Sequence, residues 1–113
     1  MSNAERGQWG EQVAASWYER HGYRVVARNW RCANGEIDLI VRRRRLIVIC
    51  EVKARRTDAF GIAATAVGVG KQQRLRRLAA EWLATAGAPR GVEIRFDVVA
   101  ITGTRLEVIH HAF

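Results

Sequence analysis

The stretch from residue 71 to residue 86 carries the strongest helical pattern of the chain, and it lies between segments typical of β-strands. Its apolar residues recur at intervals of three and four, and they are Leu75, Leu78, Ala79, Trp82, Leu83 and Ala86. Gly87 and Pro89 mark the end of this helix. Because a helix between two strands forms a crossover connection, the strands on either side of it are predicted to be parallel.

The remaining segments complete the predicted order α-β-β-β-α-β-β. A first helix is predicted over residues 5–21, where small and aromatic residues form one stripe before Gly22. Strands are predicted over residues 23–30, 36–42, 46–53, 92–102 and 105–110. The glycine-rich stretch 54–70 predicts a loop with at most one helical turn. Short links between the first three strands indicate an antiparallel meander, so we expect an α/β fold with a mixed sheet of about five strands flanked by helices.

Length and composition predict one domain, 1–113, with residues 1–4 set aside as a tag remnant or a disordered tail. Cys32 and Cys50 lack the spacing of metal ligands and are expected to be reduced structural thiols. No apolar run reaches the roughly 18 residues of a membrane span, and there is no signal-peptide pattern. We therefore expect a cytoplasmic protein without a membrane partner. Whether it forms a homodimer is left open.

The charge points to a polyanionic partner. Lys and Arg number 19 against 11 Asp and Glu, a net charge of +8, which favours nucleic acid through counterion release. Candidate nucleic-acid-binding residues are Lys71, Arg74 and Arg77 on the second helix, together with Arg55. Lys71 in particular lies in the first helical turn, where a cation opposes the helix dipole unless an anion is near. The alternatives are a solvated basic face and a compositional bias towards arginine.

Strand alternation predicts where the acidic side chains lie. Glu36 and Asp38 would share one face of their strand, with Ile37, Leu39 and Val41 on the other. Glu51 and Lys53 would likewise share a face of the next strand. A tight turn at Arg44 and Arg45 would then place Asp38 opposite Glu51, and Glu36 opposite Lys53. Because two arginines suit such a turn poorly, a longer loop with a shifted register stays open.

Facing carboxylates suggest a metal-dependent chemistry. Asp38 and Glu51 would repel each other unless a cation such as Mg²⁺ (or Mn²⁺) lay between them. Lys53 could then stabilise charge that develops on a phosphate. Glu11 lies at the edge of the packed stripe of the first helix, from which it could reach a metal. The alternatives are a surface ion pair between Glu36 and Lys53 beside a solvated Asp38–Glu51 pair, and a structural role for Glu11.

Two segments carry a D-x(n)-E-x-K pattern, namely Gly35-Glu36-Ile37-Asp38-Leu39-Ile40 and Glu51-Val52-Lys53-Ala54-Arg55. This pattern resembles that of restriction-endonuclease-like nucleases. More narrowly, the whole chain resembles the YraN family of small bacterial predicted endonucleases. Further matching positions extend over nearly the full length, and they include Gly7, Gly10, Glu11, Ala14, Arg28, Asn29, Trp30, Arg31, Phe60, Gly61, Lys71, Arg74, Leu75, Arg95, Phe96, Asp97, Ala112 and Phe113.

The resemblance implies the restriction-endonuclease-like fold, related in architecture to archaeal Holliday-junction resolvases. It also implies that Asp38 and Glu51 bind the metal, that Lys53 assists, and that Glu11 matches the helix-borne glutamate of resolvase-like members. The expected activity is Mg²⁺-dependent endonuclease cleavage of DNA, including branched or junction DNA. Two other hypotheses remain, a non-catalytic nucleic-acid-binding domain with a nuclease fold and a subunit that needs a partner for activity.

Overall fold

The computed structural model describes residues 1–56 and 67–113. Its elements are α1 (Asn3–Arg20), β1 (Arg24–Cys32), β2 (Gly35–Arg43), β3 (Leu46–Arg55), α2 (Val69–Ala86), β4 (Glu93–Thr102) and β5 (Arg105–Ile109). The predicted order α-β-β-β-α-β-β is confirmed. The loop expected over 54–70 lies mostly outside the described residues, and at its start Ala54 and Arg55 extend β3 instead.

The five strands lie side by side in their order along the chain, β1-β2-β3-β4-β5. The β1–β2, β2–β3 and β4–β5 pairs are antiparallel. The β3–β4 pair is parallel and runs from Leu46 opposite Glu93 to Arg55 opposite Thr102. Because α2 lies between these two strands in the chain, it forms the crossover that its apolar periodicity predicts.

The β2–β3 hairpin has the register predicted for a tight turn. Arg43 pairs with Leu46, so Arg44 and Arg45 form a two-residue turn. The pairing then continues as far as Leu39 opposite Cys50. Arg44 has a φ of 57°, a left-handed conformation that two-residue turns require and that residues other than glycine and asparagine rarely adopt. The alternative of a longer loop with a shifted register is therefore wrong.

Each face of the sheet is covered by one helix. The core under α1 is formed by Ala14, Ala15, Tyr18, Tyr23, Leu39, Val41, Val48, Cys50, Val99 and Ile101. The core under α2 is formed by Ile37, Ile40, Ile47, Ile49, Leu75, Leu78, Ala79 and Phe96. Helix α1 approaches β3 closely at Gly10, where an added Cβ would lie 2.8 Å from the Cβ of Ala54. A side chain at position 10 would therefore push α1 away from the sheet.

The strand alternation expected for β2 fails at Asp38. Ile37 packs in the core under α2, whereas Leu39 and Val41 pack in the core under α1, so the prediction that these three share a face is wrong. The irregularity has a counterpart in β1, where Asn29 has a φ of 50° between the Arg28–Leu39 and Trp30–Ile37 pairs. A left-handed residue interrupts the regular pleat and re-aims the neighbouring side chains.

The N-terminal residues are part of the first helix. Ser2 Oγ accepts a hydrogen bond from Glu5 N (3.1 Å), and Glu5 Oε1 accepts one from Ser2 N (2.9 Å), which completes a capping box. Residues 2–4, which were set aside as a tag remnant or a disordered tail, thus form a cap and the start of a helical turn. Cys32 and Cys50 are free thiols, as expected. Within the described ranges, neither helix is both long and apolar enough to cross a membrane.

Candidate active site

A polar cavity lies between β2, β3 and the beginning of α2. It is lined by Gly35, Glu36, Asp38, Glu51, Lys71, Arg74, Leu75 and Leu78. The irregularity in β2 contributes directly to this arrangement, because it separates Asp38 from the pairing that ends at Leu39 and Cys50. Two carboxylates predicted from the sequence therefore lie in one cavity, with basic side chains of α2 beside them.

Asp38 is held by the backbone of the neighbouring strand. Its Oδ2 accepts a hydrogen bond from Val52 N at 2.9 Å, just beyond the last β2–β3 pair. Burial raises the pKa of Asp38 to about 7, and the negative charges of Glu51 and Glu11 add to this effect. The hydrogen bond from Val52 and the charge of Lys71 act in the opposite direction. Asp38 therefore changes its charge near neutral pH.

Glu51 forms an ion pair with Lys71. Lys71 Nζ donates a hydrogen bond to Glu51 Oε1 at 2.5 Å, and the Glu51 side chain is only 9% exposed. Lys71 comes from the first turn of α2, where a cation opposes the helix dipole. The sequence suggested that an anion would compensate this placement, and in the structure the Glu51 carboxylate does so. Whether Lys71 also contacts a phosphate stays a prediction.

Lys53 follows Glu51 on the same side of β3. Val52, between them, and Ala54, after them, pack against the core under α1, so Glu51 and Lys53 take the opposite side as predicted. Partial burial lowers the pKa of Lys53, and the positive charge of Lys71 lowers it further. An incompletely hydrated ammonium group close to carboxylates interacts more strongly with an added anion than an exposed one would.

Glu11 and Glu36, the other two acidic residues predicted at the site, have surroundings that differ from those of Asp38 and Glu51. Glu11 of α1 is half-buried, and its charge raises the pKa of Asp38. In the described part of the chain, no group of three or more His, Cys, Asp or Glu is arranged to hold a metal ion, and a role for Glu11 as a metal ligand stays a prediction. Glu36 was expected opposite Lys53, but its Oε2 lies 2.9 Å from Arg31 Nε in an exposed ion pair.

The basic residues predicted to bind nucleic acid divide into two groups. Arg74 lines the carboxylate cavity together with Lys71. Arg55 lines a neighbouring cavity with Lys53 and with Arg6 near the start of α1. Arg77 is exposed on α2 and lines neither of these two cavities. The structure thus brings Arg55 and Arg74 close to the carboxylates and leaves Arg77 outside.

Sequence reasoning missed a second polar cluster, which lies on the opposite face of the sheet. Asp97 of β4 is fully buried and accepts hydrogen bonds from Tyr18 Oη (2.7 Å) and from Arg95 Nε (2.8 Å) and Nη2 (2.9 Å). His110 Nδ1 lies 2.8 Å from Asp97 Oδ2, and Arg95 also donates to Tyr23 Oη. Burial alone would raise the pKa of Asp97, but these hydrogen bonds together hold it below its ordinary value. The available signal was the alternation of the charged residues Arg95 and Asp97 with apolar residues in β4.

The fold and the cavity define a class of small α/β proteins in which paired carboxylates and two lysines meet beside a mixed sheet. The chain belongs to the Uncharacterised protein family UPF0102, which matches residues 10–101. A UPF0102 protein of Beutenbergia cavernae is 50% identical over 99 residues, which cover 88% of this chain and 83% of the relative. A UPF0102 protein of Syntrophus aciditrophicus is 43% identical over 115 residues, covering 98% of this chain and 90% of the relative.

Proposed function

We propose that this protein is a divalent-metal-dependent endonuclease that hydrolyses phosphodiester bonds of DNA. The observation that carries the proposal is that Asp38 and Glu51 line one cavity, where burial and then the negative charge of Glu51 raise the pKa of Asp38 to about 7. Two carboxylates in one poorly hydrated cavity destabilise a fold, so a site of this kind indicates a function. The partly buried ammonium group of Lys53 lies close to these carboxylates, which favours a function that includes binding an anion.

The donor set fits Mg²⁺ or Mn²⁺. These cations are commonly held by one or two carboxylates, with water and phosphate oxygen as the other ligands, and Asp38 and Glu51 supply two. When bound there, the metal would polarise the phosphodiester and lower the pKa of a water molecule. The Asp38 carboxylate is already oriented by the hydrogen bond from Val52, so little reorganisation is needed to receive a cation. Glu11 contributes negative charge from α1, which adds to the attraction of the site for a cation.

The basic groups around the carboxylates have separate tasks. Lys53 donates a hydrogen bond to a non-bridging phosphate oxygen and stabilises the negative charge that develops there. Arg74 and Arg55, which line the two cavities on either side of Glu51, bind neighbouring phosphates of the backbone. Glu36 supports the site from the cavity mouth through its ion pair with Arg31. The net charge of +8 favours DNA as the polyanion, and the resemblance to resolvase-like nucleases favours branched or junction DNA.

One observation favours a second candidate function, a nucleic-acid-binding domain that does not cut. The Glu51 carboxylate already has a cationic partner, because Lys71 Nζ lies 2.5 Å from it. A lysine in this position partly neutralises the site without any metal. If Lys71 does not move away from Glu51, the cavity binds phosphate through Lys53 and Arg74 and performs no hydrolysis.

Cleavage assays on linear and junction DNA distinguish the two candidates. Wild-type protein should cut at least one substrate with Mn²⁺ or Mg²⁺, and Asp38→Asn should abolish both cleavage and metal binding by calorimetry. Glu107→Gln, an exposed change of the same charge on β5, serves as the matched control and should leave both unchanged. A wild-type protein that binds DNA but cuts none of these substrates with either metal would establish the binding domain instead.

A further inference from the structure

Five arginines gather where the β2–β3 hairpin turns, at the opposite end of these strands from the carboxylate cavity. We call this group the arginine tip, and its members are Arg24, Arg42, Arg43, Arg44 and Arg45. Two shallow depressions flank the turn. Gly22 and four of these arginines line one of them, and three of the arginines line the other with Leu46 and Glu93.

The arginine tip carries an excess of positive charge, since Glu93 lines one of the two depressions beside five arginines. Across residues 1–56 and 67–113, no carboxylate forms an ion pair with an arginine of the tip. Arg42 Nε instead donates to the Arg44 carbonyl oxygen (2.8 Å), and Arg43 Nη1 donates to the His21 carbonyl oxygen (3.2 Å). Each guanidinium has five N–H donors, so most donors at the tip remain available to a ligand. These contacts also orient the side chains without cancelling their charge.

The turn itself is poorly suited to arginine. Arg44 has a φ of 57°, a conformation that is strained for a residue with a Cβ and that asparagine or glycine adopts more easily. Its neighbours add like-charge repulsion. The two-residue turn accounts for the left-handed backbone, but not for the choice of arginine at this position, and strained residues occur preferentially at binding sites. A polyanion at the turn would relieve the repulsion directly.

We propose that the arginine tip is a second contact surface for the sugar-phosphate backbone of nucleic acid. Arg44 directly follows β2 and lies six positions beyond Asp38, which is roughly 20 Å at ~3.4 Å per residue. That span corresponds to about six base pairs of a DNA duplex. The tip would therefore hold a part of the DNA away from the bond in the cavity. The inference shares nucleic acid as the ligand with the proposed function, but it does not require cleavage.

An anionic membrane surface is a less suitable partner for the tip. Helices and loops that bind at bilayer surfaces combine basic residues with large apolar side chains that enter the lipid. In the described part of the chain, the exposed large apolar residues are Met1, Trp9 and Val69. None of the three belongs to the tip or to the depressions beside it. Because the arginine tip has no exposed apolar side chain among the described residues, a sugar-phosphate backbone suits it better than a membrane surface.

The test measures DNA affinity without cleavage. Wild-type protein and the double variant Arg44→Asn with Arg45→Gln would be titrated with a duplex of about 20 base pairs, in chelator, over a range of salt concentrations. Asparagine accepts the left-handed φ of position 44, so the variant should fold, and its thermal midpoint checks this. Arg105→Gln is the control, since it removes one exposed positive charge after the β4–β5 turn.

The proposal expects the slope of log affinity against log salt to fall by about 0.9 for each lost phosphate contact, and the control to change the slope far less. Arg44→Lys with Arg45→Lys should retain most of the slope. Equal slopes for wild type and the double variant would overturn the proposal, whether or not the protein cuts DNA. Loss of binding to vesicles containing phosphatidylserine, with DNA affinity unchanged, would overturn it in favour of a membrane surface. A reduced slope would support the tip even if no metal-dependent cleavage were found.

Discussion

Lys71 Nζ and Glu51 Oε1 lie 2.5 Å apart, and this contact joins the first turn of α2 to the middle of β3. The carboxylates of Asp38 and Glu51 therefore lie next to a cation that the protein itself supplies. The contact lowers the net negative charge of the cavity before any ligand arrives, and the positive charge of Lys71 also lowers the pKa of Asp38, against the larger effect of burial.

Replacing Lys71 by Gln should raise the pKa of Asp38 further above 7, because the positive charge that lowers it is lost. Carbon-detected NMR titration of the aspartate carboxyl groups measures the shift. Arg77→Gln is a matched control, since it removes the same charge from the exposed side of α2. Identical titration of Asp38 in both variants would show that Lys71 does not act on it.

Replacing Lys53 by Ala should reduce turnover by about 10²–10³-fold while leaving DNA affinity and folding nearly unchanged. The reason is that Lys53 stabilises charge that appears on the phosphate only during the reaction. Lys53→Arg retains a donor of the same charge and should recover part of the rate. If Lys53 only forms a structural pair, its loss would cost on the order of 0.2–1 kcal/mol of folding free energy, and cleavage rates would stay at the wild-type level.

Asp38→Asn should stabilise the metal-free protein at alkaline pH. In the folded protein the pKa of Asp38 is about 7 against an ordinary 3.8, so the folded state binds this proton more tightly than the unfolded state. The folding free energy that this proton contributes is fully present below pH 3.8, the ordinary pKa of aspartate, and is lost as the pH rises through about 7. Asparagine carries no charge and can still accept the hydrogen bond from Val52 N.

Urea denaturation near pH 4 and near pH 8 measures this effect, since each unit of pKa difference corresponds to about 1.36 kcal/mol. The free energy of unfolding of the variant should exceed that of the wild type by 1 kcal/mol or more, roughly, at the higher pH and match it at the lower one. Mn²⁺ should stabilise only the wild type at the higher pH. A variant that is less stable than the wild type near pH 8 without metal would contradict the prediction.

Two glycines of α1 provide a paired test of how the helix packs. Gly10→Ala should destabilise the fold by about 1–3 kcal/mol, because the new Cβ would lie 2.8 Å from the Cβ of Ala54. Gly7→Ala places its Cβ in open space and should be neutral or stabilise the helix by up to about 1 kcal/mol. Thermal unfolding of both variants on one preparation is sufficient. Equal changes would mean that α1 does not approach β3 as closely as the structure indicates.

The sequence was sufficient to predict those features that depend on local patterns. The period of apolar residues in α2 predicts its crossover, and the crossover predicts the parallel β3–β4 pair. The tight-turn alternative at Arg44 and Arg45 predicts the observed hairpin register, although the sequence leaves a longer loop with a shifted register open. This register also brings Asp38 and Glu51 to one cavity.

Features that depend on neighbouring strands or on helix docking were not predictable. The alternation of β2 changes at Asp38 opposite Asn29, and nothing in β2 itself signals that its partner strand contains a left-handed residue. The Lys71–Glu51 contact depends on where the first turn of α2 settles on the sheet. The hydrogen bonds to Asp97 join residues of α1, β4 and the C-terminal segment, which are far apart along the chain.

The parallel β3–β4 pair has a consequence for the order in which the chain folds. Its partners, such as Leu46 and Glu93, are separated by the whole of α2, whereas the β1–β2–β3 meander forms from neighbouring segments. Contacts between distant segments form slowly, because a long loop must close before they are gained. Asp38 and Glu51 can therefore meet in an early meander, while Lys71 joins them only when the crossover has docked. During biosynthesis, the two carboxylates would therefore come together before Lys71 forms its ion pair with Glu51.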